Sequence, residues 1–253
     1  MRRPIGLILP ILILVGWGIA AIIIDNPFVL PKLGAVISVL LHPTEDILGT
    51  GSLIYNAYVS LVRVASGFLV ALAIAIPLGI GMGWSKRLDA FMDTTVQLIR
   101  PIPPLAWGPL AIAWFSIGLV SMAFIIFIGA FFPILLNTID GVRGVKRTWV
   151  EVAQTLGASE RQVLSKVVFP GAAPTIWTGL RVGFGIAWMC VIAAEWLPGT
   201  TSGLGYLTLY AYNFGQMQYI IAGMITIGII GIAFDFLFRS VEDRWFRWRG
   251  LER

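Results

Sequence analysis

The chain has 253 residues, of which 58% are hydrophobic and only 12% charged, and its mean hydropathy is +0.87. That composition excludes a soluble globule and places the chain in a bilayer. The 18 basic and 13 acidic residues leave a net charge of +5, but the basic residues lie between apolar runs and form no single patch, so no nucleic-acid partner is expected.

Arg2 and Arg3 precede an apolar run over residues 4–24. It is longer than the apolar part of a secretory leader and ends without a small-x-small cleavage site, so it reads as a retained first span. Residues 25–55 form a polar connection punctuated by Pro27, Pro31, Pro43 and Gly51, with a short surface helix over 32–41. A second span covers about 60–84, and its inner half is rich in the Gly and Pro that permit kinks and close helix approach in membranes. Residues 88–100 are a polar segment carrying Asp89 and Asp93. A third span runs from near Pro101 to Gly118, and its opening, RPIPPLAWGP, is too dense in proline for an ordinary helix. Each proline removes a donor and restricts its predecessor, which predicts an extended lead-in to a bent helix.

A turn over 116–121 leads to a fourth span at 119–139, closed by Asp140, Arg143, Lys146 and Arg147. The polar island from Glu151 to Pro170 follows, and then a fifth span at 174–197, where Gly179 and Gly183 have GxxxG spacing and are expected to pack within the subunit. Residues 198–218 read as a loop with Gly199, Gly203, Gly205 and Gly215, and 219–238 as a sixth span. In the charged tail, WFRWR at 245–249 interleaves aromatic and basic residues as a membrane-interface anchor does. With the amino terminus in the cytosol, this map puts 15 of the 18 basic residues on the cytosolic side. Arg63 and Arg181 fall within spans and Lys32 lies in an outer loop, so the positive-inside rule supports the orientation. The expected fold is all-α and polytopic, with about six transmembrane helices.

The island, EVAQTLGASERQVLSKVVFP, reads as a cytosolic elbow. Residues 150–156 can make two turns of helix, Gly157 can close them in the left-handed conformation, and Ser159 can start a second helix. Ser159 and Gln162 have capping-box spacing. On shape alone this is a helix-turn-helix connector. Nothing in the chain assembles bond-making chemistry. Cys190 lies in an apolar run and His42 in a loop, and they are the one cysteine and the one histidine, so a disulfide framework, a zinc cluster from this chain and a Cys/His nucleophile pair are excluded. The ionisable residues inside spans are Arg63, Arg181, Glu195 and Asp235, and there is no GxxxxGK[ST] to hold a nucleotide.

Glu151, Ala153, Gly157, Val167 and Pro170 resemble the EAA signature of ABC importer permeases, which is Glu-Ala-Ala, three residues, Gly, nine residues, Ile, one residue, Leu-Pro. Val152, Val167 and Phe169 stand in for Ala, Ile and Leu, apolar for apolar. The runs RPIPPLAWGPLAIAWFSIG at 100–118, SLVRVASGF at 60–68, and GLRVG at 179–183 with Ala194-Glu195 are similar to the nitrate, sulfonate and taurine branch, especially its taurine permeases. The resemblance implies a type I importer transmembrane core over 55–239, a peripheral first helix and outer loop in 1–54, and a cytosolic tail over 240–253. It implies a multi-pass protein of a prokaryotic inner (plasma) membrane whose partners are lipid, a second copy of itself, two cytosolic ABC ATPase subunits and a periplasmic or lipid-anchored substrate-binding protein. ATP and Mg would sit on the ATPase, with no cofactor on this chain, which is then no enzyme itself. Glu151, Ala153, Leu156, Gly157 and Pro170 would couple to the ATPase. The solute would be a small anion or zwitterion, with taurine or a sulfonate ahead of nitrate and bicarbonate, and a vitamin precursor as an alternative. Arg63, Arg181 and Glu195 are candidates for the translocation path, with structural pairing, Glu195 holding Arg63 among it, as the competing reading, and Asp235 is expected to pair with Arg239 at i, i+4. A rival class, an ion-gradient secondary transporter, would use the broken segments near Pro77 and Pro101 to Pro109 and need no partner.

Overall fold

The computed structural model describes residues 8–246, so Arg2, Arg3 and the end of the WFRWR stretch lie outside the described residues. Among the described residues there is no strand. The helices are α1 (Ile8–Ile24), α2 (Leu33–Leu41), α3 (Leu53–Trp84), α4 (Lys86–Ile99), α5 (Gly108–Phe115), α6 (Leu119–Arg143), α7 (Arg147–Thr155), α8 (Glu160–Val163), α9 (Phe169–Ala194), α10 (Leu204–Asn213) and α11 (Met217–Trp245). A 3-10 turn, Pro104–Trp107, leads into α5, and a π turn, Leu164–Val168, joins α8 to α9. Four helical stretches are long and apolar enough to cross a membrane: α3, α6, the continuous Glu160–Ala194 and α11. α1 and Pro104–Phe115 are shorter apolar helices.

Contacts divide the chain into two compact units, residues 1–60 with 200–230 and residues 61–199 with 231–253. In the first, the Trp17 indole of α1 donates to the Pro31 carbonyl at 3.0 Å. The fully buried Asn56 is satisfied at both ends. Its Nδ2 donates to the carbonyls of Thr50, Gly51 and Ser52, while its Oδ1 accepts from the Gly203 N–H at 2.7 Å. Ser60 Oγ accepts from the Leu204 N–H at 2.9 Å, so two side chains of α3 cap the start of α10.

In the second unit α6 is the central post. Added to Gly67, Gly79 or Gly83 of α3, a Cβ would lie 2.6 Å from Ile126, Thr138 or Val142 of α6. The contacts ascend both helices in the same order, so α3 and α6 run parallel. On the other side Gly179 and Gly183 of α9 abut Asn137 and Ile134, and Gly141 of α6 abuts Thr175. The order now descends, so α9 runs antiparallel, and the GxxxG pair packs within the subunit as its spacing suggested. Parallel α3 and α6 require residues 85–118 to return the chain across the membrane. The 3-10 turn and α5 together rise only about 20 Å, against a hydrocarbon core of about 30 Å. The non-helical residues on either side must supply the remainder, and there Pro103 is extended (φ −56°, ψ 135°) while Ser116 and Gly118 have positive φ.

Several boundaries differ from the sequence reading, among them the end of α11, which runs to Trp245 where the sixth span was read to stop at 238. Residues 198–218, read as a loop, contain α10, whose Leu204, Leu207 and Ala211 are buried. The polar segment at 88–100 is the amphipathic α4, capped by Ser85 and tied to the end of α6 by an Asp89–Arg143 ion pair. The second span starts at Leu53, inside the stretch read as connection, because Ser52 Oγ accepts the Tyr55 N–H there. The third is non-helical up to Pro103, which is extended after a turn and a bend at 101 and 102.

The glycine contacts predict opposite outcomes for one substitution at two sites. Gly67→Ala drives a Cβ to 2.6 Å from the Ala123 carbonyl oxygen, which cannot move aside, whereas Gly185→Ala meets nothing within 4 Å. Thermal unfolding in detergent should show Gly67→Ala destabilised by about 1–3 kcal/mol, and Gly185→Ala unchanged or stabilised by up to about 1 kcal/mol. Equal shifts would contradict the packing described here.

Candidate functional site

The polar island folds as the elbow its residues suggested. Lys146 begins α7, its Nζ 5.3 Å from the centre of the Trp149 ring. The helix ends in a Schellman turn: the Gly157 N–H donates to the Gln154 carbonyl at 2.9 Å and the Ala158 N–H to the Ala153 carbonyl at 3.0 Å. Gly157 sits at φ +83°, which a residue without Cβ adopts freely. Gln162 Oε1 accepts from the Ser159 N–H at 2.8 Å and from its hydroxyl at 3.1 Å, fixing the start of α8. The chain then passes through the π turn, beside Pro170 and Pro174, which have no N–H to give to the carbonyls of Lys166 and Pro170.

The elbow carries two apolar faces. The inner one rests Val150, Ala153, Ala158 and Leu164 on a cluster of Val142, Val163, Val168, Ala172 and Ile176, so the turn is packed onto the ends of α6 and α9. The outer one is a stripe at i, i+3 and i+7, where Trp149, Val152 and Leu156 remain exposed, Leu156 at 81%. With Lys166, Val167 and Pro170 they line a depression of about 630 Å³. A contiguous exposed apolar patch on a rigid support is the physical signature of a docking surface.

Of the residues singled out in the sequence, Ala153, Leu156 and Pro170 line this depression. Gly157 shapes the turn. Glu151 stands in solvent, paired with Arg147 at 2.8 Å, an i, i+4 contact worth only a few tenths of a kcal/mol. Trp149, Lys166 and Gly171 also line it and were not singled out, although the 149/152/156 spacing was visible.

The intramembrane charges form two separate groups. Arg63 Nη1 lies 2.9 Å from Glu195 Oε1, and Glu195 is 0% exposed at the carboxyl end of α9. Arg181 Nη2 lies 2.7 Å from Asp235 Oδ1, with Glu242 at 3.9 Å, and Asp235 also holds Arg239 at 2.9 Å, the expected i, i+4 pair. Arg181 and Glu195 are separated by about 21 Å along one helix. The three candidates for the path therefore do not converge on one site.

Residues 75–247 match the family model of the binding-protein-dependent transport system inner membrane component. The chain belongs to this family. It is 58% identical over 241 residues to a Methanocaldococcus jannaschii protein named as an ABC transporter permease, covering 95% of this chain and 90% of that one. It is 35% identical over 247 residues to the taurine transport system permease TauC of Escherichia coli (96% and 88%) and 39% identical over 207 residues to the bicarbonate transport system permease CmpB of Synechococcus elongatus (81% and 74%). Its fold is that of a chain of the MetNI methionine ABC transporter, with a TM-score of 0.60 over 75% of this chain and 95% of that one at 18% identity. The protein is thus a multi-pass transport permease of the type I ABC importer class.

The buried pair makes a prediction of its own. Glu195→Ala takes away the countercharge 2.9 Å from Arg63 and should cost about 3–5 kcal/mol in detergent unfolding, whereas Glu195→Ala combined with Arg63→Leu should recover most of the loss. A double variant no better than Glu195→Ala would show that the pair is not the source of the penalty.

Proposed function

We propose that this chain is the membrane subunit of an ATP-driven importer and that the elbow, Glu151 to Pro170, is where a separate ATPase grips it. The observation that carries this is the outward stripe of Trp149, Val152 and Leu156, held on a Schellman-capped turn whose other face is packed on α6 and α9. Glu151, Ala153, Leu156, Gly157 and Pro170 make up the coupling surface, with ATP and Mg bound by the partner and no cofactor on this chain. The complex holds two copies of the permease, two ATPase subunits and an external receptor for the solute. Residues 55–239 form the transporting core, 1–54 a peripheral helix and loop, and 240–253 a cytosolic tail, with the amino terminus in the cytosol of a prokaryotic cell. Similarity to the taurine permease along nearly the whole chain favours a small sulfonate, ahead of the bicarbonate carried by a relative matched over a shorter stretch. Pairing favours Arg63, Glu195 and Arg181 as joints beside the translocation path over groups that touch solute in the resting state.

The test is association and coupling. Gly157→Pro is incompatible with a φ of +83° and removes the N–H given to Gln154, and Leu156→Glu places a charge in the stripe. Each should reduce ATPase captured by the permease, and ATP hydrolysis in the reconstituted complex, by at least about tenfold without altering membrane insertion. Capture that survives both changes, or solute uptake by the permease alone on an ion gradient, would overturn the reading.

A further inference from the structure

A slot of about 270 Å³ lies between α3, α9 and α11 in the larger unit. Phe68 of α3, Trp177 and Phe184 of α9, and Phe234 and Phe238 of α11 line it. The rings brace one another: the centre of Phe184 is 5.2 Å from that of Phe68 and 4.3 Å from that of Phe234, and Trp177 is 5.3 Å from Phe238. The one polar side-chain group among the lining residues, the Trp177 indole N–H, is already given to the Phe238 carbonyl at 2.9 Å. The slot therefore offers no partners to hold a water. Leu237 also lines it and is 55% exposed, so the slot reaches the outer surface of a helix that crosses the membrane.

Its size decides what can enter. α11 rises about 10.5 Å from Phe234 to Val241, and spread over that length the volume has a cross-section of about 26 Å². A helix with its side chains is about 10 Å across and needs roughly three times that area. A single extended hydrocarbon chain fits. Its place decides where that chain comes from. Phe68 and Phe184 lie near the middle of α3 and α9, whereas Val241 stands at the end toward the elbow, so the slot runs through one leaflet. Leu237, Val241 and the exposed Arg244 are spaced i, i+4 and i+7 and share one side of α11, with Trp245, 70% exposed, beside them. The acid nearby in sequence, Glu242, is turned to Arg181 at 3.9 Å.

We propose that the slot takes one acyl chain of a phospholipid from the leaflet on the elbow's side, with the lipid phosphate beside Arg244. A void leaves the atoms that line it without partners, and inside a bilayer the apolar matter free to supply them is lipid chain. α11 buries only Ala222 and Gly223, so the bound chain provides packing against α9 and α3 that its own side chains do not, next to the Arg181–Asp235 pair that ties α11 to α9. The lipid is then a fixed part of the subunit, distinct from the lipid that slides over its surface.

The test uses the full chain in vesicles of phosphatidylethanolamine and phosphatidylglycerol, with a trace of phosphatidylglycerol carrying a diazirine midway along one chain, and locates the photoproducts to the residue by tandem mass spectrometry. Lipid on the outer surface of α11 labels Ile232 and Phe236, 73% and 72% exposed, whatever fills the slot. A chain inside it labels Phe68, only 9% exposed, and Trp177 as strongly as Phe236. Leu237→Phe and Val241→Phe each add a ring to the slot and should cut labelling of Phe68 and Trp177 by about tenfold while Phe236 labels as before, which also shows that the variants insert and fold. Arg244→Glu should weaken the same labelling several-fold. Labelling confined to the exposed residues, or labelling of Phe68 that survives the ring substitutions or Arg244→Glu, would overturn the site. The importer reading does not depend on the outcome, since it stands or falls on ATPase capture by the elbow.

Discussion

Everything in the larger unit hangs on the contact of α6 with its two neighbours across glycine. Lipid gives apolar helices no hydrophobic reason to associate, so close van der Waals approach at small residues has to hold them. Gly67, Gly79 and Gly83 bring α3 onto one side of α6, and Gly179 and Gly183 bring α9 onto another. The elbow leaves from the end of α6 and returns into α9, the two helices most closely locked together. The elbow is therefore joined at both ends to helices in close contact along their length, which leaves little room for slippage between them. By contrast α11 buries only Ala222 and Gly223, so most of its surface is left for lipid or another chain.

α9 is also held by charge at two levels. Near its carboxyl end Glu195 holds Arg63 of α3, and nearer its start Arg181 holds Asp235 of α11. Ionised groups in a membrane are costly unless neutralised, and these neutralise each other. The consequence is a helix fixed by shape along one face and by directional polar contacts at two heights along others. Such an element resists sliding and rotation against α6, since either would break the glycine contacts. This is the mechanical property that a coupling joint would need.

How much of this was legible in the sequence follows from how local each cause is. The apolar runs, the Gly157 turn, the Ser159–Gln162 capping spacing and the GxxxG pair depend on near neighbours, and the structure places them as read. α10 was missed because four glycines in the stretch signal a loop. Its helix is started by Asn56 and Ser60, which lie some 145 residues earlier in the chain, although Leu204, Leu207 and Ala211 at i, i+3 and i+7 were a visible sign. Arg63 and Glu195, both read near the outer side of their spans, pair as the structural alternative had it, but the partner of Arg181 is fixed by tertiary contact alone. Spacing could find Arg239 for Asp235, but not Arg181.

The proline-dense connector shows why a broken helix is tolerated here. Non-helical backbone at membrane depth is expensive because each unpaired N–H has no water to bind, and it survives only when buried in protein or facing a cavity. Pro101, Pro103 and Pro104 remove three N–H groups from the stretch that would otherwise need partners. The Ile102 N–H is already given to the Ile99 carbonyl at 3.0 Å, and Ile102 and Pro104 line a cavity shared with α6 and α9. Proline is thus the residue type that lowers the cost of leaving the helix where the chain must do so to border an open space. A run of helix formers at 101–104 would restore regular backbone but continue α4 into that space and close it.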